Sequence, residues 1–347
     1  MYVSHFYIAL NSKIWLTLVF TWIIIASTYL AIKISIDTIP PLLMSGIRYT
    51  LSGIMLFLIF KIYSLGIFDR KGKETEKMEM IINQQKNKII EPKLTQLISS
   101  RKQWKDAIIV GICLIVVGQG LLAFGEQYLS SDITALMFST VPIWITLIGR
   151  FYYNLKLDKY TTLGIIAGSI GLLILIYPSF ESMLFVRQTT FTNTNNIFGI
   201  FILLIAAISW AIGSLFSHKT DLPNNILIST GMMLLVGGLF LLVFGTIIGE
   251  FNKLDVSKVS PSSIVSLVYL TVVGTFGWLG FFWILRNTTA TLANTFAYVS
   301  PVIAVFLGWI ILHEYINTRI IIATIVIILG VILIVNKNKI AEKRKNL

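Results

Sequence analysis

The sequence predicts an all-α integral membrane protein with ten transmembrane helices in two inverted five-helix repeats. Three observations predict it. Of 347 residues, 56% are hydrophobic and 13% charged, with a mean hydropathy of +0.82; soluble domains carry about 25% charged residues. The apolar residues fall in runs long enough to cross a bilayer, which takes about twenty residues per helix. The chain also repeats itself. Pro142 and Pro301 lie mid-way along the apolar stretches Ile133–Tyr153 and Leu292–His313, 159 residues apart. The same offset pairs Gly118 with Gly277, Gly149 with Gly308, Ile166 with Ile325 and Gly171 with Gly330.

Ten spans follow, at roughly 14–34, 41–63, 107–128, 133–153, 160–178, 197–217, 226–249, 263–285, 291–313 and 318–335. Their links are mostly short, so consecutive helices run antiparallel. The organisation is a first five-helix repeat over 1–178, a second over 197–335 and a basic tail over 336–347. Five is odd, so the second copy enters the membrane from the opposite side to the first. Inverted repeats of this kind mark secondary transporters, with substrate bound near the midplane at discontinuous helices. A proline deep in an apolar run kinks or opens its helix, which places the discontinuities at Pro142 and Pro301.

The first run lacks a basic start and a small-residue cleavage site, and is read as a retained span. With the N-terminus inside, 22 Lys and Arg fall in cytoplasmic segments and 4 in outer loops. Both termini are therefore expected in the cytoplasm of a cell membrane. The net charge of +12 sits between apolar runs rather than on one soluble face, which argues against nucleic acid. The 64–105 segment is a solvated, mixed-charge insertion rich in Lys, Glu, Gln and Asn. The tail is expected near anionic lipid heads. The single cysteine, Cys113, excludes an intrachain disulfide and reads as a packing residue.

Glu126 is the outstanding ionisable group, near the outer end of the third span. It stands seven residues after Gln119, which puts both on one helix face. A carboxylate at that depth faces a cavity or a partner; proton coupling, recognition of a substrate amine and an ion pair with Arg48 are the alternatives. Arg48 lies about 10 Å into the second span by helical rise. Both are candidates for coupling or gating, and Lys33 for snorkelling to the interface. For substrate binding the candidates are Gln119, Ser139, Pro142, Trp210, Trp278, Asn294, Tyr298 and Pro301. Asn294, Tyr298 and Pro301 follow i, i+4, i+7 spacing on one face, and Ala135, Ser139 and Pro142 are their repeat mates. Trp22, Trp210 and Trp278 sit within spans rather than at the interface and are candidate cavity walls, against the plainer reading as packing. Gly164-Ile-Ile-Ala-Gly168 and Gly245-Thr-Ile-Ile-Gly249 allow close helix approach, within the bundle or at a dimer face.

Several segments together carry a family pattern: IASTYLAIK (Ile25–Lys33), PPLLMSGIRYTLSGIML (Pro40–Leu56), VGQGLLAFGEQYLSSDITALMFSTVPIW (Val117–Trp144) and LHEYI (Leu312–Ile316). In order and over nearly the whole chain they resemble the drug/metabolite transporter superfamily, specifically its EamA-like members. The resemblance implies ten helices in two inverted repeats and export of small metabolites, foremost amino acids or related compounds. Two departures stand out: Leu155 occupies the first-repeat position that aligns with Glu314, and the 64–105 insertion is long for the family.

An importer or exchanger of small metabolites is the alternative. A membrane-embedded lipid-modifying enzyme is disfavoured, because His5, His218 and His313 form no HExxH spacing and no paired-Asp motif occurs. No GxxxxGK[ST] loop points to ATP-driven transport. The expected partners are a small-molecule substrate, protons as a coupling ion and the lipid bilayer, with no cofactor or metal, in a monomer or homodimer. The composition, rich in lysine, isoleucine and asparagine, suggests a bacterial source.

Overall fold

A computed structural model describes residues 12–64, 100–129, 134, 137–155, 158–185, 194–303 and 318–345, with backbone alone at 12, 175–185, 194–196 and 336–345. The described residues are helical and contain no strand. Seven helices are long and apolar enough to cross a membrane: Lys13–Ile36, Pro41–Ser64, Arg101–Gly125, Ile197–Ser217, Ile226–Ile247, Pro261–Asn287 and Thr318–Val335. Two shorter apolar helices, Val141–Tyr152 and Lys159–Ile174, accompany them. Most of 304–317 in the ninth predicted span, with Glu314 and His313, and nearly all of the 64–105 insertion lie outside the described residues.

The helices start where local chemistry satisfies their free N–H groups. Helix α1 is Ser12–Ile36, and α2, Pro41–Ser64, opens on a proline that has no N–H to leave unpaired. The Glu250 carboxylate, from the link after the seventh helix, accepts from Leu43 N at 2.9 Å and caps α2 from outside its own segment. Helix α3, Arg101–Gly125, begins earlier than the apolar pattern implied. A capping box explains this: Ser100 Oγ accepts from Gln103 N at 3.2 Å, and Ser100 N donates to Gln103 Oε1 at 2.9 Å. Over Ile112–Gly120 α3 is π-helical. Helix α4 is Val141–Tyr152, α5 Lys159–Phe185 and α6 Thr194–Ser217. Asn225 caps α7, Ile226–Ile247, which stops at Gly249 with φ 78°, a left-handed conformation that glycine adopts without strain. Ser260 caps α8, Pro261–Asn287. Helix α9, Ala290–Ala293, ends in a turn at Asn294–Thr295, and the helix resumes over 296–303. Helix α10 is Thr318–Lys345.

Packing pairs α2 with α7, α5 with α10, α1 with α8, and α3 with α6. The first two crossings are set by glycine. A Cβ on Gly53 would lie 2.7 Å from Leu235 N, and one on Gly330 would lie 2.7 Å from both Gly164 O and Gly168 N. Without side chains there, the backbones approach closely and gain dispersion contacts, which drive helix association in lipid. Of the two Gly-xxx-Gly motifs, the first packs inside the bundle, with Gly164 and Gly168 meeting α10 and Tyr298; in the second Gly245 meets Leu43, whereas a Cβ on Gly249 would meet nothing within 4 Å. Large apolar side chains stand on the perimeter, Leu16 at 75% and Val265 at 68% exposure among many. A surface so apolar is a lipid-facing one.

Candidate functional site

A cavity of about 40 Å³ lies inside the bundle, room for roughly three waters at ~10–15 Å³ each. Its walls come from α1 (Ile24, Ile25, Thr28, Tyr29, Ile32), α2 (Arg48, Tyr49), α3 (Gln119), α6 (Trp210), α8 (Leu270, Gly274, Gly277, Trp278, Phe281) and the ninth span (Phe296). By helical rise, Arg48 stands about 10 Å from the start of α2 and Trp210 about 24 Å from the start of α6, so the cavity reaches the middle of the bundle.

One wall is aromatic. Trp210 and Trp278 lie 5.5 Å apart, Trp210 meets Phe281 at 5.3 Å and Phe296 at 5.9 Å, and Trp278 meets Tyr49 edge-on at 5.7 Å. Phe138, behind Trp210 at 5.2 Å, extends the cluster to the break before α4. These are offset and edge-to-face arrangements that hold rings in fixed orientation. The wall that adjoins it through Tyr49 is polar. The Arg48 guanidinium sits 4.2 Å from the centroid of the Tyr49 ring. Its Nη2 donates to the Tyr49 hydroxyl and, at 3.3 Å, to Gln119 Oε1, to which Tyr49 also donates at 3.1 Å. Arg48 is 3% exposed, and its Nε has no hydrogen-bond partner among the described residues.

Of the residues singled out from the sequence, the structure brings together Arg48, Gln119, Trp210 and Trp278 at this cavity. The others stand elsewhere. Glu126 does not line it, although it stands within electrostatic reach of Arg48 and Tyr29, which do. Both Glu126 carboxylate oxygens are buried without a hydrogen-bond partner among the described residues. The ion pair with Arg48 is not made; the described ion pairs are Lys102–Asp221 and Lys258–Asp255, both at exposed side chains. Lys33, exposed, donates to the Glu126 backbone carbonyl at 3.2 Å.

The common face of Asn294, Tyr298 and Pro301 is also corrected, because the turn at Asn294–Thr295 interrupts the helix that would align them. Asn294 Oδ1 accepts from Trp210 Nε1 at 2.6 Å, and its Nδ2 donates to Ala290 O at 2.8 Å. Tyr298 points to α5, with its hydroxyl 3.3 Å from Ser169 Oγ and 3.4 Å from Ile165 O. Pro301 is in the resumed helix, beyond the break rather than at it. Pro142 stands in the first turn of α4, after a turn at Ser139–Thr140 that follows helical residues 137–138, and Ser139 is buried beside it. Trp22 donates to Thr295 Oγ1 at 3.2 Å and is not a wall residue.

The sequence reading missed Tyr29, Tyr49, Phe281 and Phe296. A signal existed for one wall, since Gly274, Gly277, Trp278 and Phe281 recur at helical spacing on a single face of α8. Phe296 had none, because its orientation depends on the broken helix.

An all-helical, lipid-faced bundle with a small interior cavity describes a multi-pass membrane protein of the transporter class. A family model for EamA-like transporters matches residues 89–177 and 197–336, and the chain belongs to the EamA-like transporter family. It is 29% identical over 320 residues to the uncharacterized transporter YoaV of Bacillus subtilis (strain 168), covering 92% of this chain and 95% of that protein. It is 28% identical over 289 residues to the uncharacterized inner membrane transporter YedA of Escherichia coli (strain K12), covering 83% and 79%. A crystal structure of a protein 15% identical in sequence superposes with a TM-score of 0.63 over 93% of this chain and 97% of its own, a likeness of fold.

Proposed function

We propose that this protein is a secondary transporter that exports small metabolites, foremost amino acids or related compounds, by alternating access around the cavity between α1, α2, α3, α6 and α8. The observation that carries the reading is that cavity. It is mid-bundle and has one aromatic wall, one polar wall and an adjoining broken helix, the arrangement in which transporters hold substrate.

The proposal includes ten spans, two inverted five-helix repeats and cytoplasmic termini in a bacterial cell membrane. The packing pairs support the inversion. A two-fold axis in the membrane plane maps α1 on α8 onto α6 on α3, and maps α2–α7 and α5–α10 onto themselves, which are the four most extensive pairings among the described residues. The repeat-related Gly118 and Gly277 serve equivalent contacts, against Trp210 of α6 and Ile24 of α1.

In this reading the conformation is occluded. At one end Ser263 donates to Ile34 O at 2.9 Å and accepts from Thr38 at 2.8 Å, joining α1 to α8. At the other end Arg286 donates to Asn224 O at 2.7 Å and to Pro223 O at 2.6 Å, tying α8 to the α6–α7 link. Transport requires each set to open in turn.

The test is metabolite profiling of the medium from cells overexpressing the protein, beside a Pro142→Ala/Pro301→Ala double variant. One compound class rising with the wild type, and several-fold more slowly with the double variant, supports export and names the ligand. No rise, with the protein verified in the membrane, overturns export and moves the question to uptake or exchange in proteoliposomes.

A further inference from the structure

Arg48 is a full charge in the bundle interior without an ion-pair partner among the described residues. A buried guanidinium carries five N–H donors and no acceptor. The neighbours Tyr49 and Gln119 use Nη2. The Nε–H, also buried, has no partner among the described residues, and the side chain forms part of the cavity wall. Unpaired buried charge is costly, so a cation kept here without a carboxylate implies an anionic group that arrives from outside. Glu126 does not fill the role. Its carboxylate is outside the 4.0 Å ion-pair distance and does not border the cavity, although it stands within electrostatic reach of Arg48 and Lys33.

We propose that Arg48 receives the carboxylate of a small organic acid, and that Trp278, Trp210 and Phe281 receive its apolar or aromatic body. The guanidinium fork matches a carboxylate edge-on with two parallel N–H donors, and Nε is one member of that fork. Tyr49 and Gln119 already engage Nη2, the other member of the Nε edge, so a carboxylate that reaches this edge takes the Nε–H directly and displaces one of them at Nη2. Beside it, the aromatic rings offer flat apolar surface and no formal charge, which suits a ring or branched aliphatic chain. The cavity is too small for such an acid as it stands, so binding selects a conformation in which the wall has parted. A Cβ on Gly274 of α8 would meet Thr28 Cγ2 of α1 at 3.8 Å, an ordinary van der Waals contact, so the α1–α8 packing is looser there than at Gly277 and Gly280.

The inference rests on the transport reading for its biological meaning, and its test uses binding alone. Purified full-length protein in detergent micelles is titrated with 3-phenylpropionate, 3-phenylpropionamide and 3-phenylpropylamine, read by thermal shift and by tryptophan emission. The acid is expected to bind at least about tenfold more tightly than the amide, the difference between a charge-assisted and a neutral contact. Partition into micelles runs the other way, since the neutral amide dissolves in detergent more readily than the anion. Arg48→Lys is expected to keep a reduced preference for the acid, and Arg48→Gln to lose it. If Arg48→Gln does not fold, the wild-type comparison decides by itself. Equal binding of acid and amide, tighter binding of the amine, or no binding of any probe overturns the assignment. Absent flux in proteoliposomes with the acid preference intact would instead count against the transport reading.

Discussion

The segments around Pro142 and Pro301 in the fourth and ninth predicted spans, which the 159-residue offset aligns, break at different places and are held by different partners among the described residues. In the fourth, the break is the turn at Ser139–Thr140, and Pro142 follows at once in the first turn of α4. At Thr140 the described bonds are local: Trp144 Nε1 donates to Thr140 Oγ1 at 3.1 Å, and Thr140 Oγ1 donates to Met137 O at 2.6 Å. In the ninth, the turn at Asn294–Thr295 precedes Pro301 by two helical turns. Two indoles from other helices grip it, Trp210 of α6 on Asn294 and Trp22 of α1 on Thr295. Proline therefore does not place the discontinuity. In one copy it starts a helix at no cost, and in the other a tertiary clamp decides where the chain turns.

Asn294→Ala should have the largest effect. It removes the acceptor of a fully buried indole N–H and the bond to Ala290, so unfolding in detergent should move by about 1–3 kcal/mol. Trp210 emission should shift as well, because the indole loses its anchor. Thr140→Ala, the matching lesion in the fourth span, should cost no more than ~0.5–1 kcal/mol, since its bonds are half-buried and within one turn. Equal costs would break the comparison.

Pro301→Ala comes next. It restores an N–H that can bond to Ala297 O, and one such bond is worth ~1 kcal/mol net. If the ninth span must flex during turnover, that added bond slows flux roughly fivefold, measured in proteoliposomes once a substrate is in hand. A rate unchanged from wild type would mean that the motion is confined to the Asn294–Thr295 turn.

The contrast also shows what the sequence could disclose. Apolar runs located the helices because lipid leaves no other way to satisfy backbone groups, and Trp210, Trp278, Gln119 and Arg48 stood out as polar or aromatic residues in those runs. The start of α3 was legible too, in Ser100-x-x-Gln103, but hydropathy alone placed it later. Three features were not legible. The π-helical Ile112–Gly120 follows from packing: a Cβ on Gly120 would meet Leu241 Cδ2 at 2.5 Å, and one on Gly118 would meet Trp210 at 3.1 Å. No residue in that stretch prescribes the extra backbone. The turn at Asn294 depends on an indole 84 residues away. Glu126 drew attention as a charge in an apolar run; that it is buried close to Arg48 and Tyr29 without lining the cavity depends on how α1, α2 and α3 pack, which spacing along one helix does not carry.

Pro142→Ala should have the smallest effect. Pro142 occupies the first turn of α4, where its missing N–H would have had no partner inside the helix and its fixed φ already suits the conformation. Alanine should leave stability within about 1 kcal/mol, the reduced freedom of the unfolded proline chain being the main quantity lost. Flux should stay near the wild-type rate, in contrast to Pro301→Ala. The two substitutions are the same chemical change at repeat-related positions, so composition cannot explain a difference between them. A loss of flux in Pro142→Ala equal to that of Pro301→Ala would mean that α4 moves at its first turn, and the clamp on the ninth span would no longer distinguish the two halves.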